Sequence, residues 1–113
     1  MSVKIDRIAS NIVKEISYIL ATEVKDNDIK FVTVTDAKVT NDLSFAKIYF
    51  TVLDESRKKE TLDALKNASK FIRRELADRI DIRHIPELEF VYDESIAYGK
   101  KIEDIIEQIH EEN

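Results

Sequence analysis

The chain of 113 residues contains no cysteine and no tryptophan, and only one glycine and one proline. Without cysteine there can be no disulfide, thiolate metal ligand or thiol nucleophile, which fits a reducing compartment. The single glycine, Gly99, excludes the glycine-rich loops that cradle nucleotide phosphates. Only two histidines occur, His84 and His110, and they stand far apart; His110 with Glu107 offers two ligands where zinc takes three or four. The carboxylate pairs Asp54/Glu55 and Asp93/Glu94 fall at element ends, where such groups face water, and no nucleophile elbow or acid–base cluster accompanies them. A noncatalytic protein with no metal and no cofactor is therefore expected. No apolar run approaches a membrane span, and Met1 to Asp6 lacks the apolar stretch of a signal peptide, so the expectation is a cytoplasmic monomer with no membrane role.

What is present is a hydrophobic fraction of 43% beside a charged fraction of 36%. A chain of this length buries roughly two-thirds of its unfolded surface, enough for one core, so residues 1–113 are expected to form one domain. The net charge of -5 is not spread evenly. Residues 102–113 hold Glu103, Asp104, Glu107, Glu111 and Glu112 and no lysine or arginine, which leaves 18 acids against 18 lysines and arginines in residues 1–101. Between Lys66 and Arg83 six bases face three acids. A segregated cluster of cations points to a polyanionic backbone, because lysines and arginines set on one side release the counterions condensed on nucleic acid.

Ile5, Ile8, Ile12, Ile16 and Ile19 recur at helical spacing and predict a first helix from Val3 to about Val24, with Ser2 as its cap and Lys25–Asp28 as its stop. Residues 30–39 and Ser44–Leu53, rich in β-branched types and separated by Thr40-Asn41-Asp42, predict a hairpin with a bulge near Thr35 or Asp36. Ser56 is placed to cap a second helix striped by Leu62, Leu65, Ser69, Ile72, Leu76 and Ile80. Phe71 lies off that stripe, which predicts either an exposed ring or a break at Asn67-Ala68-Ser69; the break is the reading adopted. Pro86 then introduces a third strand in which Leu88, Phe90 and Tyr92 alternate with Glu87, Glu89 and Val91, and an acidic, isoleucine-lined helix is expected over about 101–112. The fold class is α+β, a three-stranded sheet packed against helices in the order α-β-β-α-α(kink)-β plus a C-terminal helix.

Four blocks carry a resemblance to a known family: Arg7 and Ile16 through Glu23-Val24-Lys25; Asn41-Asp42-Leu43 with Ala46-Lys47-Ile48-Tyr49; Ala68-Ser69-Lys70-Phe71-Ile72-Arg73 with Glu75-Leu76; and Arg83 with Ile85-Pro86-Glu87-Leu88-Glu89-Phe90, then Tyr92-Asp93 and Ser95. In order and spacing they resemble the ribosome-binding factor A family. That resemblance implies a KH-like (type II) domain that binds the free or immature 30S small ribosomal subunit at the 5′-terminal helix region of 16S rRNA. It also implies a part in late 30S assembly and 16S rRNA processing, with a particular need in the cold, and release by a ribosome-associated GTPase. The family's Ala-x-Gly element at the helix break stands here as Ala68-Ser69-Lys70, without its glycine. The GXXG loop with which many KH domains clamp single strands is also absent.

Lys66, Lys70, Arg73 and Arg74 share one flank of the second helix beside its buried stripe, where they can meet phosphates while the core stays covered. Glu75 and Asp78 offer partners that would make the same flank an ordinary solvated face. Lys4, Arg7, Asn11 and Lys14 follow at three- and four-residue steps along the first helix and extend the surface. Arg83 is placed either on RNA or in an ion pair with Asp81, and Tyr49 beside Lys47 either stacks a base or simply faces water. The rival reading is a noncatalytic protein-interaction adaptor that docks through its acidic C-terminal helix.

Overall fold

A computed structural model describes residues 3–95; the expected Ser2 cap and acidic C-terminal helix lie outside these residues. Ile8, Ile12, Ile16 and Ile19 fall on the buried side of helix α1, Val3–Thr22. Isoleucine costs a helix a few tenths of a kcal/mol per residue, whereas burying its side chain contributes roughly 1.5–3 kcal/mol, so packing decides. Beyond the helix, Asp26 accepts the Asp28 N–H at 2.9 Å and starts one 3-10 turn, Asn27–Ile29.

Strands β1 (Val32–Val39) and β2 (Phe45–Val52) form the antiparallel hairpin. Val34 pairs with Phe50 and Asp36 with Tyr49, so Thr35 is the extra residue of the expected bulge. Because the bulge resets the alternation, Val34 and Ala37 are both buried although they differ in parity. Strand β3 (Glu87–Tyr92) runs parallel to β2, giving the sheet order β1-β2-β3. A parallel neighbour requires a crossover, and helix α2 (Lys58–Arg79) supplies it. Helix α1 packs against β1, α2 against β3, and the helices touch each other. Between these layers sit Ile12, Ile16, Ile48, Phe50, Leu65, Ile72 and Leu76, all fully buried.

Two expectations at α2 are corrected. Ser56 does not cap the helix. Asp54 accepts the Ser56 N–H at 3.0 Å and the Ser56 hydroxyl at 2.7 Å, making a 3-10 turn (Glu55–Arg57), and α2 begins at Lys58 without a side-chain cap. Nor does the helix break at Asn67, Ala68 and Ser69, since α2 runs unbroken through all three. The segment contains neither glycine nor proline, Lys70 is a good helix former, and the Ser69 hydroxyl is satisfied by the Lys66 carbonyl at 2.8 Å. Phe71 accordingly stays on the outer side, 38% exposed. Among the described residues the order is therefore α-β-β-α-β rather than α-β-β-α-α-β.

Candidate nucleic-acid interface

Steps of four residues return to nearly the same side of a helix, so Lys66, Lys70 and Arg74 make a row about 12 Å long on α2. All three are exposed, and none has an ion-pair partner among the described residues. Arg73, expected in the same set, is half-buried. Its Nη2 donates to the Ile85 carbonyl at 2.7 Å, tying α2 to the connector before β3, while its Nε is buried without a partner. Lys70, Arg73, Arg74, Ala77 and Ile85 surround a shallow hollow of about 400 Å³ with cationic walls and an apolar floor. One side of Arg73 is thus structural.

The connector also reaches α1. A groove of about 1100 Å³ is lined by Lys4, Arg7 and Asn11 of α1, by Asp81, Ile82, Arg83 and His84 of the connector, and by Asn41, Asp42 and Leu43 of the hairpin turn. Cations that are some 80 residues apart in sequence share this groove, and Ile85, the next residue along, borders the α2 hollow. The connector thus lines both hollows, with residues 81–84 in the α1 groove and Ile85 in the α2 hollow. Lys14 is exposed further along α1. Arg83 lies in the groove and has no ion pair with Asp81.

The turn that closes the groove is held rigidly. Leu43 has a φ of 62°, a left-handed conformation that costs a non-glycine residue about 1–2 kcal/mol. Around it Asp42 accepts from the Ser44 hydroxyl at 2.7 Å, the Thr40 hydroxyl at 2.9 Å and the Ser44 N–H at 3.0 Å. The Ser44 hydroxyl contributes most to holding the Asp42 carboxyl down at about 2. These hydrogen bonds keep Asp42 ionised, so the groove holds the acidic Asp42 and Asp81 beside Lys4, Arg7 and Arg83.

Arg79, counted among the bases of this region, serves a different purpose. Its Nη2 lies 3.4 Å from Glu23, its Nη1 3.8 Å from Glu15, and its guanidinium 4.7 Å from the Tyr18 ring centroid. It fastens α2 to α1. On the outer sheet face, Tyr49 is half-buried and has the Lys38 ammonium 5.8 Å from its ring centroid. Sequence reasoning missed the Arg73–Ile85 bond and the membership of Asn41, Leu43 and His84 in the groove. The turn residues were visible as a turn, but no local signal placed them against α1.

The family model described as ribosome-binding factor A matches residues 4–106. The chain belongs to the ribosome-binding factor A family. The factor of Macrococcus caseolyticus is 44% identical over 111 residues, 97% of each chain. That of Staphylococcus carnosus is 46% identical over 109 residues, 96% of this chain and 95% of the relative. A Thermus thermophilus ribosome-binding factor A homology model, fitted into a cryo-electron-microscopy map of a 30S complex, has a TM-score of 0.68 at 21% identity. It covers 80% of this chain and 96% of its own, and the likeness at that identity is one of fold.

Proposed function

We propose that this protein is a KH-like (type II) docking factor for the immature 30S subunit, with the α1–connector–α2 surface gripping 16S rRNA near its 5′-terminal helix region. The observation that carries the reading is the exposed row Lys66, Lys70 and Arg74 on α2, without ion-pair partners among the described residues, while Arg7 and Arg83 share a groove at the far end of the same connector. Family membership and the neighbour fitted into a 30S map support the same partner. Phosphate contacts of this kind fix position without reading sequence. With no chemistry to perform, the factor acts by occupancy: it favours the rRNA conformation it binds and so shifts the population toward it during late assembly. Such holding is most needed in the cold, and departure of the factor, assisted by a ribosome-associated GTPase, ends it.

Cosedimentation with 30S particles tests the reading. The protein should pellet with 30S at low salt and be released as salt rises. Lys70→Glu with Arg74→Glu should abolish pelleting; retention of that variant on 30S would refute the surface. Arg73 is left intact in this test because its guanidinium also holds the Ile85 carbonyl.

A further inference from the structure

The row Lys66–Lys70–Arg74 has a counterpart in the same chain. Beyond the described residues lies a segment of 18 residues, 96–113, which holds Glu103, Asp104, Glu107, Glu111 and Glu112 and no lysine or arginine after Lys101. Glu103, Glu107 and Glu111 repeat in sequence at the same four-residue step as Lys66, Lys70 and Arg74, and with the opposite charge. The place where the segment leaves the body is also defined. Asp93 donates its N–H to the Phe50 carbonyl at 2.7 Å, and Glu94 pairs with Lys58 at 2.7 Å, which puts the exit at Ser95 beside the first turn of α2. From Lys58 to Lys66 is about 12 Å along the helix axis, whereas eight residues from Ser95 to Glu103 can span up to roughly 26 Å. The acids therefore reach the row with slack to spare.

We propose that the acidic C-terminal segment, residues 103–112, occupies the Lys66–Lys70–Arg74 row and competes there with RNA phosphate. The inference rests on the proposed RNA-docking role of that row. A tethered competitor acts at an effective concentration in the millimolar range, so weak, exposed pairs are enough to matter. Each such pair contributes little, and three together lower the apparent affinity for RNA by roughly tenfold at most. The tail then rejects weak, non-specific polyanions, while a site that engages the α1 groove as well as the α2 row displaces it.

The test uses the full chain carrying Glu103→Gln, Glu107→Gln and Glu111→Gln. At low salt this variant should bind 30S particles roughly five- to tenfold more tightly than the parent, and the difference should vanish at high salt, where exposed charges are screened. Because the chain has no cysteine, a nitroxide on Asn113→Cys reports contact directly. Amide signals of Lys66, Lys70 and Arg74 should broaden at low salt, and recover at high salt or in the triple variant. Unchanged 30S affinity with no broadening on α2 overturns the proposal, as does broadening centred on the exposed apolar pair Phe31 and Leu53. If broadening is found while Lys70→Glu with Arg74→Glu still pellets with 30S, the RNA-docking reading is what fails, and the competitor role falls with it.

Discussion

Neutralising the α2 row should weaken 30S binding by an amount that counterion release fixes in advance. Lys70 and Arg74 are exposed on a continuous helix, without ion-pair partners among the described residues, and glutamine has nearly their helix propensity, so Lys70→Gln with Arg74→Gln leaves folding alone. Each neutralised phosphate contributes about 0.9 to the slope of log affinity against log salt, so four contacts, by Lys70, Arg74, Arg7 and Arg83, give a slope of roughly -3.6. Removing two should halve the slope to about -1.8, and at about 0.1 M salt it should lower affinity by roughly 1.8 log units, or sixtyfold. The assay is a salt titration of cosedimentation with 30S particles, with thermal unfolding as the folding control. An unchanged slope in a variant that unfolds at the parent temperature would show that these two cations touch no phosphate, and the assignment of the row would be wrong.

Other substitutions separate structural charges from docking charges. Arg79→Ala should reduce stability by about 1–2 kcal/mol through loss of Glu15, Glu23 and Tyr18, measured by denaturant unfolding, yet leave the salt slope of 30S binding unchanged. Lys70→Gly, which restores the glycine implied by the family resemblance, should cost about 1 kcal/mol because it sits inside an unbroken helix, lowering the melting temperature by several degrees; a stabilised variant would reveal strain at that position. For the hairpin turn, the Asp42 carboxyl titrates at about 2 in the folded protein, down from 3.8. Its pKa is depressed on folding, so the contribution to stability is full above about pH 4 and is lost as pH falls toward 2. A carbon-detected NMR titration of Asp42 with a midpoint near 4 would contradict the hydrogen bonds drawn from Ser44 and Thr40.

Patterns confined to a few turns or strands proved readable. Isoleucine spacing marked α1, the parity change marked the bulge at Thr35, and Pro86 marked the entry to β3, because each reflects one element meeting one apolar layer. No break occurs at residues 67–69, where there is neither glycine nor proline and Phe71 simply stays on the outer side of an unbroken helix. An exposed ring costs a helix little, whereas a break would sacrifice backbone hydrogen bonds. The cation flank of α2 was likewise legible, as three bases at four-residue steps share a side of any helix.

What no periodicity could reveal was which cations are neighbours and which are engaged. Arg73 and Arg79 look like Lys70 and Arg74 in sequence, yet one is tied to Ile85 twelve residues on and the other to Glu15 on α1 and Glu23 just past its end. Local spacing and composition sufficed for α1, the bulged hairpin, the stripe of α2, β3 and the α+β class, since each follows from one element meeting one apolar layer. Only the tertiary structure decided that Arg7 and Arg83 share a groove, because the parallel β2–β3 pairing brings the connector back past the start of α1. Long-range proximity is set by how layers pack, and packing is a property of the whole chain.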